Sequence, residues 1–325
     1  MPLQDLIQRP RRLRRTESIR QLVEETHLLP HHLVSPLFVV EGSNKREPIS
    51  SLPEVYRHSI DTLLKEIESL AELGVRAIDL FPYIPKERKD SRGSESLRDD
   101  NLIFQTVKTV KRTFPELCLM VDVALDPYTD HGHDGIINAD GVVLNDETVE
   151  ALSEMSLRLA EAGTDVIAPS DMMDGRVKAI RNTLDAAGFT DVAILSYAAK
   201  YASALYSPFR DALHSAPKFG DKKSYQMNPA NSREALKEAK LDEEEGADIL
   251  LVKPALSYLD IISKIKTQTT LPVAAYHVSG EYAMVMAAHE KGWLNAEKVF
   301  KEQFLSIRRA GADFIFTYAA KHILN

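Results

Sequence analysis

Short apolar runs recur along this chain. Longer stretches separate most of them, and there apolar residues return every three or four positions. The runs are Leu33 to Val40, Val75 to Phe81, Leu117 to Val123, Asp165 to Ala168, Val192 to Leu195, Ile249 to Val252, Val273 to Tyr276 and Phe314 to Phe316. They are rich in Val, Ile, Leu and Phe and bounded by Gly, Pro or Asp, which suits strands buried on both faces. Between them, Ile60, Leu63, Leu64, Ile67, Leu70 and Leu73 keep helical spacing, as do Val149, Leu152, Met155, Leu159 and Ala162. Further helices are predicted from near Glu234, Tyr258, Glu281 and Ala296. Gly74, Gly163, Gly246 and Gly311 each close a helical stretch just before a strand, the place where a positive φ ends a helix.

Eight strands alternating with helices predict a parallel α/β sheet. With that number, a closed (β/α)8 TIM barrel is favoured over an open doubly wound sheet. No G-x-G-x-x-G or Walker-type loop follows a strand, which weakens a nucleotide-binding reading. Residues 1–31 read as a polar N-terminal arm, and residues 32–325 as one catalytic barrel, because barrels of roughly 300 residues run as single domains.

Composition narrows the partners. The net charge is −8 and the pI near 5.7, which argues against nucleic acid. The basic cluster Arg9-Pro10-Arg11-Arg12-Leu13-Arg14-Arg15 is the local exception and is read as a solvated or subunit-contacting arm. The single cysteine, Cys118, gives no sign of an oxidising compartment and is read as a small buried hydrophobe. No apolar run approaches the roughly 20 residues that span a membrane, and the N-terminus lacks the apolar core of a signal peptide. A soluble cytoplasmic protein with no membrane partner is expected.

A barrel of this kind builds its active site at the carboxyl ends of its strands. Asp122 ends the third strand, and Ser170-Asp171 follow the fourth. Ser196-Tyr197 and then Lys200 leave the fifth; Lys253-Pro254 ends the sixth; His277 and Ser279 follow the seventh; Thr317-Tyr318 end the eighth. Lys253 stands at the end of a nearly wholly apolar strand. Alone it has two readings, a snorkelling lysine or a catalytic amine. Lys200, placed just beyond the neighbouring strand, brings a second cation close. A desolvated lysine beside another cation loses its proton more easily and becomes a usable nucleophile towards a ketone.

Local sequences add a resemblance. Ser196-Tyr-Ala-Ala-Lys200-Tyr-Ala-Ser-Ala-Leu-Tyr206-Ser-Pro-Phe-Arg210 and Gly246-Ala-Asp-Ile-Leu-Leu-Val-Lys253-Pro254 resemble the two lysine motifs of the porphobilinogen synthases. Tyr225-Gln226-Met227-Asn-Pro, Ser170-Asp-Met-Met-Asp-Gly-Arg176 and Val278-Ser279-Gly-Glu-Tyr-Ala-Met284 are similar to other segments of that family. The resemblance runs from about Arg11 to the C-terminus. It implies condensation of two 5-aminolaevulinate molecules to porphobilinogen, with Lys200 and Lys253 each forming a Schiff base. Ser279 and Tyr318 would bind one substrate carboxylate and Arg210 the other. Lys222 stands where the family usually has arginine and keeps the charge without the planar fork. Gln226 would assist, and Asp122 would orient an amine or shuttle protons.

The resemblance also frames the metal question. Zinc-dependent members carry three cysteines where this chain has Ala124, Asp126 and Asp134, so a cysteine-ligated catalytic zinc is not expected. Two readings stay open: Asp126 and Asp134 hold a hard or monovalent cation, or they line a lid over a site without metal. His131 and His133 are read as structural or lid residues. Glu238, fifteen positions before Lys253, matches a family glutamate that binds an activating magnesium away from the chemistry. Homo-octamers, with the arm embracing a neighbouring barrel, are implied as well. Competing readings are a class I aldolase, which needs one Schiff-base lysine, and a non-catalytic barrel.

Overall fold

The structure, a computed structural model, describes residues 7–325; residues 1–6 of the expected arm lie outside the described residues. Ten strands form one sheet: β1 (Leu33–Val39), β2 (Arg46–Ile49), β3 (Leu52–His58), β4 (Ala77–Pro82), β5 (Cys118–Val123), β6 (Val166–Pro169), β7 (Ala193–Lys200), β8 (Ile249–Lys253), β9 (Val273–Tyr276) and β10 (Phe314–Phe316). All except β2 and β3 pair in parallel in the order β1-β4-β5-β6-β7-β8-β9-β10, and β10 returns to β1 through Leu33↔Ile315 and Val34↔Phe316. The predicted TIM barrel is therefore closed. Each of its strands coincides with one of the apolar runs to within a few residues.

Burial explains the agreement. β1 is buried along its whole length, and Val121, Ile167, Ile194, Leu250, Val252, Ala274 and Ile315 have at most 6% of their surface exposed. Helices such as Ile60–Glu72 present one apolar stripe, here Leu63, Ile67 and Leu70, to the outside of the barrel. Arg176, fully enclosed, holds this layer together between Asp242 (3.1 Å) and the Ser196 hydroxyl (3.0 Å).

Two features lay beyond the apolar pattern. The antiparallel β2–β3 hairpin carries prolines and exposed charges, so no apolar run marks it. It extends the sheet beside the carboxyl end of β1 through Phe38↔Arg57 and Val39↔His58. It also grips the helix Ser207–Leu213: Ser51 donates to Asp211 at 2.6 Å, and Arg57 donates to the Ala212 carbonyl at 2.6 Å. In the arm, Pro10–Arg14 forms a 3-10 turn and Glu17–Leu22 a short helix capped by Thr16, neither with a buried residue. Cys118 opens β5 and is half-buried, not the fully buried residue expected.

Candidate active site

β7 and β8 pair so that Lys200 and Lys253 are register partners at the carboxyl end of the barrel. Lys200 is the last residue of β7, rather than lying just beyond the strand, because β7 is extended past an irregularity between Ser196 and Ala199. The Lys253 backbone carbonyl is held twice, by the Tyr201 amide (3.0 Å) and the Tyr206 hydroxyl (3.1 Å).

The two ammonium groups meet different surroundings. Lys253 Nζ lies 4.3 Å from the ring centroid of Tyr276, 5.0 Å from Tyr197, 5.1 Å from Phe209 and 5.5 Å from Tyr206. It makes no hydrogen bond among the described residues. Burial, and then the charge of Lys200, lower its pKa to about 7, against the opposing pull of Asp122 and Asp79. Lys200 Nζ instead donates to Asp134 Oδ2 at 3.3 Å and to the Ser170 carbonyl. Asp134 Oδ1 accepts from Lys222 at 2.5 Å, and Lys222 also reaches Asp126 at 3.4 Å. Burial pushes the Asp134 carboxyl up, but the two lysines outweigh it and hold the group down at about 2.

A small cavity of about 20 Å³ joins these groups, lined by Asp126, Lys200, Tyr206, Phe209, Arg210, Lys222, Gln226 and Lys253. The segment carrying Lys222 and Gln226 is stitched onto the lysine strand, since the Met227 amide donates to the Lys200 carbonyl at 3.0 Å. It lies over a second loop: Lys218 N donates to His131 O at 3.0 Å, and a Cβ on Gly132 would stand 2.5 Å from the Ala216 carbonyl, so only glycine fits there. His133 faces the Tyr225 hydroxyl (3.1 Å) and the Phe219 carbonyl (3.2 Å); His131 faces the Ser91 carbonyl (3.2 Å). Together these loops cover the mouth of the barrel.

The remaining expected residues fall into three places. Asp122 is buried beside the lysines, and burial raises it to about 7 although Lys253 and Lys200 pull it down. Ser279 and Tyr318 flank the Lys253 side. The Ser279 hydroxyl accepts from the Phe209 amide (3.1 Å) and faces the Leu205 carbonyl (3.2 Å), while Tyr318 Oη lies 3.2 Å from Tyr276 Oη. Glu238 is outside the lysine cavity, in a separate groove with Asp174, Glu234 and Met172.

Sequence reasoning missed Asp79. It is fully buried in β4, with Oδ2 3.4 Å from the Tyr197 hydroxyl and Oδ1 without a partner among the described residues. Burial and the neighbouring Asp122 raise its pKa well above the usual carboxylate range. The available signal was an aspartate inside the apolar run Ala77-Ile-Asp-Leu-Phe81. Tyr197 was expected at the rim, and Tyr206 and Phe209 within the lysine motif, but not their packing with Tyr276 as an aromatic wall around Lys253.

Comparison with known proteins completes this picture. Residues 7–325 match the family model described as Delta-aminolevulinic acid dehydratase. The chain is 55% identical over 319 residues to the Delta-aminolevulinic acid dehydratase of Chlamydia pneumoniae, covering 98% of this chain and 96% of that one. It is 51% identical to the protein of that name from Bradyrhizobium diazoefficiens, covering 98% and 90%. Among solved structures, it is similar to the delta-aminolevulinic acid dehydratase (porphobilinogen synthase) of Toxoplasma gondii in complex with the reaction product porphobilinogen. The TM-score is 0.96 at 48% identity, covering 98% of this chain and 91% of that one.

Proposed function

The chain belongs to the delta-aminolevulinic acid dehydratase family, and on that premise we propose how its residues divide the work. The reaction is a hydro-lyase condensation: two 5-aminolaevulinate molecules become porphobilinogen with loss of two waters.

The observation that carries the assignment of roles is the convergence of Lys253 and Lys200 on one covered cavity. Lys253, among aromatic rings, supplies a neutral amine near pH 7. Its nitrogen attacks the ketone of one substrate, water leaves, and a protonated imine remains as the electron sink for carbon–carbon bond formation. Lys200 forms the second imine after release from Asp134. Asp122, raised to about 7, holds or gives up a proton beside both amines. Ser279 and Tyr318 receive the carboxylate of the substrate on Lys253. Arg210 and Lys222, with Gln226, receive the other. An aldolase would need only one of these lysines. Borohydride trapping with peptide mapping tests the assignment: adducts on both lysines support it, one adduct favours the aldolase, and none favours a binding protein.

Metal use follows from the donor sets. The only cysteine, Cys118, sits at the start of β5, so no thiolate cage exists for zinc. Ammonium groups of Lys200 and Lys222 take the inner oxygens of Asp134 and Asp126, and these aspartates fit a lid and substrate-side role better than a cation pair. Glu238 fits magnesium. Its carboxyl makes no hydrogen bond or ion pair among the described residues, and burial with Asp242 nearby pushes its pKa up, which a cation would relieve. Among those residues no three His, Cys, Asp or Glu side chains converge on one point, so an ion there keeps most of its water shell. Bound magnesium would neutralise this acidic groove away from the lysines. The exposed arginines of the arm suit contact with a neighbouring barrel in a homo-octamer, with magnesium coupling assembly to activity. Sizing with and without chelator tests that coupling. No helix among the described residues is long and apolar enough to cross a membrane.

A further inference from the structure

Glu281 lies outside the lysine cavity, yet its carboxylate touches chain on both sides of the Lys253 pocket. It is the third residue of the helix Ser279–Glu290 and only 1% exposed. Oε1 accepts from the Leu256 amide at 2.7 Å, and Oε2 accepts from the Val278 amide at 2.7 Å. The amides of Ala255 and Ser257 also point to it. No cation pairs with it among the described residues. A buried carboxylate costs several kcal/mol unless hydrogen-bonded; here backbone amides hold the group in place, and burial still pushes its pKa up to about 7.

Those amides belong to two segments with one purpose. Ala255, Leu256 and Ser257 form the turn that directly follows Lys253-Pro254. Val278 caps the helix whose first residue is Ser279. The helix start is also pressed against the turn Ala204–Tyr206, since a Cβ on Gly280 would stand 2.5 Å from the Leu205 carbonyl. That turn supplies the Tyr206 hydroxyl which holds the Lys253 carbonyl. The Lys253 end and the Ser279 end of the pocket are thus tied at one spacing, and Glu281 adds a side-chain link between them beyond the pairing of β8 with β9.

We propose that Glu281 is a positioning residue that sets substrate length: it fixes the distance between the Lys253 amine, which attacks the ketone, and the Ser279 hydroxyl, which receives the carboxylate of the same molecule. The proposal rests on the roles given above to Lys253 and Ser279. In 5-aminolaevulinate two methylenes separate ketone from carboxylate, so the spacing of amine and hydroxyl bears directly on which keto acid fits. A misplacement near 1 Å costs on the order of a hundredfold in rate.

The test compares two inert keto acids, levulinate and 5-oxohexanoate, which differ by one methylene between ketone and carboxylate. Each is trapped with borohydride on the whole enzyme, and adducts at Lys253 and Lys200 are counted by peptide mapping. The unaltered enzyme prefers levulinate at Lys253. Glu281→Gln places an amide N–H₂ against a backbone N–H, loosens one end of the clamp, and shrinks that preference by about tenfold while the Lys200 adducts keep theirs. Should Glu281→Gln fail to fold, Glu281→Asp keeps the carboxyl group on a side chain one methylene shorter, and it narrows the preference in the same direction. An unchanged preference at Lys253 in a folded variant, or an equal loss at both lysines, overturns the proposal. No Lys253 adduct in the unaltered enzyme has a different meaning: the lysine assignment itself falls.

Discussion

Lys253 and Lys200 are the same residue, at paired positions of adjacent strands, in two unlike pockets. The Lys253 side is aromatic, with Tyr276, Tyr197, Phe209 and Tyr206 around an amine that has no hydrogen-bond partner among the described residues. The Lys200 side is polar, with the amine tied to Asp134, which in turn is tied to Lys222. Desolvation without a partner makes it easier for a lysine to lose its proton, and on the other side the amine is held in place by a carboxylate. The contrast suits a reaction that must treat two identical substrate molecules differently.

The largest expected effect comes from removing either amine. Lys253→Ala and Lys200→Ala each lower turnover by at least about a thousandfold, read as pyrrole formation, while the surviving lysine still forms a borohydride adduct. Asp134→Ala breaks the polar side only. It leaves two buried ammonium groups without their shared carboxylate, and unfolding in urea shows a loss of about 3–5 kcal/mol.

The aromatic side is probed by pH. With Lys253 lowered to about 7, the ammonium form dominates below that value and cannot attack. kcat/KM therefore rises through pH 7 and falls about tenfold per unit on the acid side. A profile flat from pH 6 to 9 contradicts the depressed amine. Asp79→Asn sharpens the point. Burial holds Asp79 largely protonated, and only its ionised fraction pulls the Lys253 pKa upward, so its removal shifts the acid limb slightly to lower pH, by less than about one unit. A shift in the opposite direction refutes that coupling. The smallest effect lies furthest away: in the proposed magnesium groove, the ratio of rates without and with chelator is expected to exceed one for the unaltered enzyme and to fall to about one for Glu238→Gln.

Much of this was legible in the sequence, for a physical reason. Strands buried on both faces must be continuously apolar, and a lysine at the end of such a strand stands out, so Lys253 and the barrel were visible together. The β2–β3 hairpin was not, because it is short, charged and solvated. Asp79 was hidden by its position: an inward-facing carboxyl in mid-strand carries no turn, glycine or motif to mark it. The aromatic wall around Lys253 was equally silent, since Tyr197 and Tyr276 obey the same core pattern whether or not an amine sits among them. Likewise no spacing rule tells that Asp134 would find two lysines, one from β7 and one from the loop 214–232.

The most direct test of the two-pocket account is trapping at limiting substrate. Enzyme in excess over 5-aminolaevulinate is reduced with borohydride near pH 7, and the adduct is located by peptide mapping. The account predicts that Lys253, the free amine, carries the adduct first and that Lys200 is labelled only as substrate is raised. Labelling of Lys200 first, or of both lysines in constant ratio, would contradict it.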